Sequence, residues 1–275
     1  MTQISAADIS KLRKLTGAGM MDCKNALTEG EGDFDKAIEI IRKKGQAVAM
    51  KRADRDASEG CLLARVSADH KIGVMLAFNC ETDFVAKNEE FVKTTESFIQ
   101  VALENKPKTI EELKALSVNG VKIADMVMDK LAAIGEKIDI GYYQIMEAEM
   151  IVPYTHNGNK LACMVAFNKA IPEQAGKDIA MQIAAMNPVA VDKGDVTQAT
   201  IDKELEIGRE QARQEGKPEN MLDKIAQGKL NKFYKDSTLL NQEFIKDSKL
   251  TVGQYLAQVD KDAKVTTFLR CSLVL

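Results

Sequence analysis

The sequence predicts an α+β protein: an amino-terminal module of three short helices, then two α+β core subdomains built on one plan, the second carrying an inserted helical hairpin. Three observations carry this reading. Apolar residues in the first 45 positions recur at helical spacing. An internal repeat aligns GVMLAFN at 73–79 with ACMVAFN at 162–168. Residues 197–234 read as two helices broken at Gly216-Lys-Pro218, with nothing equivalent in the first copy. The expected units are 1–46 for the helical module, 47–59 for a linker, 60–149 for the first subdomain, and 150–275 for the second, which contains the 197–234 hairpin.

Ile9, Leu12 and Leu15 define the first helix, and Thr16-Gly-Ala-Gly19 turns the chain into a second over 20–29. Asp33 can cap a third, with Phe34, Ala37, Ile38 and Ile41 on one face and Gly45 closing it. The charged, poorly periodic stretch around Lys51-Arg-Ala-Asp-Arg-Asp56 reads as a short helix and linker. Each copy of the repeat then opens with a strand hairpin, first strands at 61–66 and 150–155, followed by a helix at 89–104 or 174–186. Each of these helices stops at Asn with Pro close behind, in Asn105-Lys-Pro107 and Asn187-Pro188. A further helix and strand complete each copy, at 121–134 and 137–149 in the first and at 251–259 and 264–275 in the second. In the hairpin, Ile201, Leu205, Gly208 and Ala212 face Leu222, Ile225, Ala226, Leu230 and Phe233. Two helices of about 15 residues bury too little to stand alone, so they should lean on the body or on another molecule.

Composition excludes several classes of function. The net charge of −3, the absence of Trp and an aromatic content of 5% argue against direct nucleic-acid binding. No apolar run approaches the roughly 20 residues that span a membrane, and no signal peptide opens the chain. The five cysteines, odd in number and without CxxC, read as reduced thiols of a cytosolic protein. There is no phosphate loop, GxGxxG, HExxH or GxSxG, and no metal-ligand spacing. His70 and His156 both fall in hairpin turns, and no cofactor is expected. An enzyme reading would need Cys80 as nucleophile with His156 as base, and Glu81 and Asp83 oppose a thiolate there.

One stretch does not fit a purely structural account. Between an apolar strand and a helix lies CETDFVAKN, 80–88, which sets a Phe on a connection where water should surround it. Asn79 to Pro107 spans 28 positions, whereas Asn168 to Pro188 spans 20. The eight extra residues are expected in CETDFVAK, an insertion that the second copy closes without. An exposed Phe on a dispensable insertion points to binding; the alternative is that Phe84 tucks back under its own helix.

These stretches resemble one family. KLRKLTGAGMMDCKNAL (11–27) and GDFDKAIEIIRKKG (32–45) resemble the amino-terminal helical module of bacterial elongation factor Ts, a bundle similar to ubiquitin-associated domains. CETDFVAKNEEF (80–91) resembles that family's signature, and YTHNGNKLA (154–162) resembles a hairpin turn of its second core subdomain. The resemblance implies a cytoplasmic guanine nucleotide exchange factor, not an enzyme. It implies binding to elongation factor Tu, both GDP-bound and nucleotide-free, and GDP release through disturbance of the partner's Mg2+ and phosphate site. Thr82, Asp83, Phe84 and Val85 match the intruding positions, with Phe84 as a wedge and Asp83 perturbing the charges around the metal. Leu12, Met20 and Met21 match partner contacts of the helical module, and His156 matches a residue that touches another partner domain. The chain stops at Cys271-Ser-Leu-Val-Leu275, so the contact that some members make through a further carboxy-terminal helix is expected to be missing. The 197–234 hairpin resembles the coiled coil of longer members, through which some dimerise, which leaves a weak homodimer as one expectation. Taken alone, the first 45 residues also fit a ubiquitin-associated domain that recognises a different protein.

Overall fold

A computed structural model describes residues 4–274. The chain begins with α1 (Ala6–Thr16), α2 (Met20–Glu29) and α3 (Phe34–Lys51). Ser5 and Asp8 form a capping box at the start of α1, and Gly17, at φ 68°, ends it. Asp33 caps α3 by accepting from the amides of Asp35 and Lys36. Leu12, Cys23, Ala26, Leu27, Ala37 and Ile41 make the core of this bundle.

The first copy of the repeat comprises β1 (Glu59–Val66), β2 (Ile72–Cys80), the single turn α4 (Asp83–Ala86), α5 (Glu89–Asn105), α6 (Ile110–Ala115), a two-residue ladder of β3 (Ser117–Val118) and β4 (Val121–Lys122), α7 (Ile123–Ile134) and β5 (Asp139–Glu147). The second comprises β6 (Met150–Thr155), β7 (Leu161–Phe167), α8 (Glu173–Met186), the long helices α9 (Gln198–Gln214) and α10 (Leu222–Ser237), β8 (Glu243–Phe244), β9 (Asp247–Thr251), α11 (Val252–Val259) and β10 (Val265–Ser272). The main sheets run β1-β2-β5 and β6-β7-β10, antiparallel throughout. In each, the second strand of the hairpin is central and the last strand of the copy takes its free edge. The sequence repeat is therefore a repeat of topology.

Both faces of each sheet are covered, which explains why the strands read as continuous apolar runs instead of alternating. Val74, Leu76 and Phe78 face the helices of the first copy, while Met75 and Ala77 face the other way. There they meet Ile151, Ala162, Met164 and Ala166 of the second copy. Phe78 stacks on Phe91 of α5 at 4.4 Å and meets Phe98 edge-on at 5.3 Å.

Three expectations need correction or addition. The eight extra residues of the first copy do not all lie in the turn. Counted from Asn79 and Asn168, the long helix α5 begins ten residues on in the first copy and its counterpart α8 five on in the second. The remaining three lengthen α5 to 17 residues against 14 for α8, and α5 uses that length to run from Phe91 to the buried Ala102. The helix α6 and the short strands β3, β4, β8 and β9 were not anticipated, although Thr109 followed by Glu112 is a recognisable start signal for α6, and Thr109 does accept from the Glu112 amide.

The third correction concerns Gly45. It does not close α3, which continues to Lys51. Gly45 is buried against α7: a Cβ there would lie 2.8 Å from the Ala132 Cβ and 3.3 Å from the Met128 carbonyl oxygen. The glycine permits helix-on-helix approach, and tertiary packing overrides its usual role as a stop. Val48 and Ala49 then reach the core of the first copy, so α3 is shared between the bundle and that core. Farther along the chain, α9 and α10 also pack through a small-residue contact, Gly208 against Ala226. Their base is fixed by Val189 N–H donating to Ser237 and by a buried amide pair, Gln182 and Gln242.

One substitution should therefore change sign with position. Gly→Ala inside a helix ordinarily stabilises by about 0.5–1 kcal/mol. At Gly228 of α10, where a Cβ meets nothing within 4 Å, Gly228→Ala should do so. Gly45→Ala should instead destabilise by about 1–3 kcal/mol through overpacking on α7. Urea midpoints of the two variants check this.

Candidate functional site

The strand β2 delivers the chain to a turn that holds the exposed aromatic. Cys80, its last residue, is buried, and its Sγ donates to the Thr82 carbonyl at 3.2 Å. A single helical turn follows, closed by Ala86 N–H to Thr82 and Lys87 N–H to Asp83. One turn cannot hide every side chain. Ala86 is buried and Val85 packs half-buried against the core of the first copy. Phe84 points out and is 85% exposed, which disposes of the alternative that it tucks under its helix. Asn88 caps α5 immediately afterwards, and Phe91 locks that helix onto Phe78.

The entry to the turn is clamped by two carboxylates. The Glu136 carboxylate, between α7 and β5, accepts from the amides of Glu81 and Thr82 and from the Thr82 hydroxyl. Glu81 accepts two hydrogen bonds from Arg52, at 2.7 and 2.8 Å, and one from the Lys137 amide at 2.6 Å. The Lys137 amide and then the Arg52 guanidinium hold the Glu81 carboxyl below the usual glutamate range. Asp83 is lowered chiefly by its hydrogen bond from Lys87, at 2.5 Å, with Lys160 adding to the effect.

Lys160 belongs to the turn between β6 and β7, and the structure brings that turn beside the start of β1. Lys160 pairs with Glu59 at 2.7 Å, and the Asn159 carbonyl accepts from Leu62 N–H at 2.8 Å. Glu59 in turn lies opposite Cys80 in the β1–β2 ladder, so the two turns flank one edge of the molecule. His156 is exposed there, its Nδ1 2.8 Å from the Tyr154 hydroxyl.

Among the residues expected on the amino-terminal helices, Met20 is 60% and Met21 63% exposed. Leu12 needs correction. It is fully buried in the bundle core and offers no surface. Leu15, three residues on, is the exposed leucine, at 62%. The signal was in the spacing: Ile9, Leu12 and Leu15 step by three, so the apolar stripe drifts around the helix and its last member leaves the core. Glu136 and Arg52 were not singled out either, and Glu81 figured only as a charge opposing a Cys80 thiolate. Glu136 lies 54 positions from Thr82, and no local pattern joins them.

Cys80 is poorly suited to the nucleophile role that an enzyme reading would give it. Burial, then Glu136, pushes Cys80 up to about 12, so it carries no thiolate near neutral pH. Among the described residues no group of His, Cys, Asp and Glu could hold a metal, and no helix is long and apolar enough to cross a membrane.

Comparison with known proteins agrees on one family. The family model described as "Elongation factor TS" matches residues 81–274. The chain is 51% identical to the "Elongation factor Ts" of Christiangramia forsetii, over 99% of this chain and 100% of that one. It is 54% identical to that of Porphyromonas gingivalis, over 98% of each, and 52% identical to that of Amoebophilus asiaticus, over 97% and 98%.

The Glu81 clamp has a pH signature. Its carboxyl is depressed in the folded chain, so its contribution to stability is present above about pH 4.3 and is lost as pH falls through the lower folded value. Glu81→Gln should lower stability at neutral pH, and the gap to wild type should shrink as pH falls from neutral through the lowered folded value. Denaturant midpoints measured across that range check it.

Proposed function

The chain belongs to the elongation factor Ts family and serves translation elongation, and from that premise we propose that it is a guanine nucleotide exchange factor that binds elongation factor Tu and promotes GDP release by disturbing the partner's Mg2+ and phosphate site. The observation that carries the reading is Phe84, a large apolar side chain almost wholly in water at the tip of a clamped turn. The fold gains nothing from that exposure, and a partner pocket would.

The energetics favour a wedge that works with other contacts. Burying one Phe supplies roughly 1.5–3 kcal/mol. Shifting a nucleotide equilibrium by four decades takes about 5.5 kcal/mol. Phe84 therefore needs a grip elsewhere. Leu15, Met20 and Met21, exposed on the amino-terminal helices, are suited to supply it, with Leu12 behind them as support. His156, held by Tyr154, is suited to a second contact on the edge that carries Phe84. Asp83 brings a carboxylate beside the wedge. A magnesium ion keeps strict octahedral geometry with few protein ligands, so a small displacement of those ligands loosens the diphosphate.

In this reading the chain is no enzyme and needs no cofactor or nucleotide site of its own, and its setting is the cytoplasm. What weakens GDP must itself bind less tightly when GDP is present, so the nucleotide-free partner is the tighter complex. Weak self-association through α9 and α10 would rest on Ile207 and Met221, amid surface ion pairs such as Arg209 with Asp223.

Phe84→Ala tests the wedge. It should leave the stability read from denaturant unfolding within about 0.5 kcal/mol of wild type, because the ring touches little of the fold. It should slow catalysed GDP release by roughly 10- to 150-fold, the equivalent of about 1.5–3 kcal/mol of transition-state contact. Stopped-flow release of labelled GDP from elongation factor Tu measures the second quantity. A rate equal to wild type would remove Phe84 from the mechanism.

A further inference from the structure

Thr82 stands at the N-cap of α4 but makes no capping hydrogen bond with its side chain. A threonine in that position ordinarily turns its hydroxyl to the free amides of its helix, a contact worth about 1 kcal/mol. Here Oγ1 donates to Glu136 Oε1 at 2.7 Å. The amides of Glu81 and Thr82 donate to Glu136 Oε2 at 3.1 and 3.0 Å. Three donors at the entry to the turn are thus aimed at one carboxylate outside it.

The next residue works with it. The Lys137 amide donates to Glu81, and Lys137 Nζ donates to the carbonyls of Ala53 and Arg55, just beyond α3. Arg52, the C-cap of α3, holds Glu81 from the other side. The two residues that follow Gly135 therefore tie the Phe84 turn to the core and to the last helix of the amino-terminal bundle. Local helix stability does not call for this, since an ordinary Thr82 cap would serve α4 better. A fixed direction for Phe84 does call for it: an aromatic anchor that is already aimed loses little freedom on docking.

We propose that Glu136 is a positioning residue for nucleotide exchange, acting through its three hydrogen bonds to Glu81 and Thr82 to fix the direction in which α4 presents Phe84. The proposal rests on the exchange reading above. Glu136 acts through Phe84 and is not itself a partner contact. Its loss leaves the grip of the amino-terminal helices in place but lets the wedge wander. The rate within the complex should fall while the concentration needed to form the complex stays the same.

The test follows GDP release from elongation factor Tu by stopped flow over a range of concentrations of the full chain. The chains compared are wild type, Glu136→Ala, Glu136→Gln, Phe84→Ala, and the double variant of Glu136→Ala with Phe84→Ala. Glu136→Ala should lower the maximal rate on the order of 10- to 100-fold, the scale expected for a misplaced reacting group, with an unchanged half-saturating concentration. Glu136→Gln keeps an oxygen for the two amides and should recover most of that rate. The double variant should be no slower than Phe84→Ala alone, because a wedge that is absent cannot be misaimed. A wild-type maximal rate in Glu136→Ala, or multiplying effects in the double variant, would overturn the proposal. If Glu136→Ala does not fold, Thr82→Val carries the same test by deleting only the hydroxyl donor: a slower maximal rate supports the role and an unchanged one overturns it. A wild-type chain that fails to accelerate GDP release sinks the exchange reading itself, an outcome distinct from a wild type that works and a Glu136→Ala that works equally well.

Discussion

A four-residue helix cannot hold its own shape in water, because nucleating a turn fixes several residues for very few hydrogen bonds. The Phe84 turn keeps its shape because Ala86 and Val85 root it in the core and because Glu136 and Glu81 lock its entry. The lock depends on the rest of the chain. Glu136 and Lys137 are set by the end of α7, where Gly135 at φ 78° turns the backbone, and α7 is held against α3 through Gly45. Arg52 reaches Glu81 only because α3 runs on past Gly45. A surface feature of one turn thus calls on two helices and a sheet.

The two sheets supply the rigid base. Their inner faces meet through residues such as Met75, Ala77, Ile151, Met164 and Ala166, so the two copies share one interface. That interface brings the turn after β6 alongside β1 and places His156 and Lys160 on the edge that carries Asp83 and Phe84. A duplicated fold with one exaggerated turn is a direct physical route to such a site. The second copy shows that the plan closes without the longer connection, and the first copy uses five of its eight extra residues where the strand meets its helix.

Legibility in the sequence followed the range of the interactions. Residues buried on both faces of a strand leave continuous apolar runs, so GVMLAFN and ACMVAFN were readable as equivalent second strands of two hairpins, though not as the central strands they are. One of the two Asn stops was readable: Asn187, at φ 45°, ends α8, whereas Asn105 is still helical and Lys106, at φ 53°, ends α5. Phe84 stood out because no local pattern needed it. Gly45 misled because a glycine that permits close packing and one that ends a helix look alike until the facing residue, Ala132, is known. Leu12 and Leu15 were separable in principle by angle, since steps of three rotate the apolar stripe off the core. Glu136 was invisible: a carboxylate after a helix stop looks like ordinary turn polarity, and its donors lie 54 and 55 positions away.

The central claim is that Phe84 is presented ready-aimed in the free chain and is buried on the partner GTPase. Oxidative labelling of the Phe84 ring, read by mass spectrometry on the free chain and on its complex with nucleotide-free elongation factor Tu, tests that claim most directly. The account predicts strong labelling of the free chain, as expected for a ring that is 85% exposed, and loss of most of that labelling in the complex. Equal labelling of Phe84 in both states, in a complex shown to have formed, would contradict it.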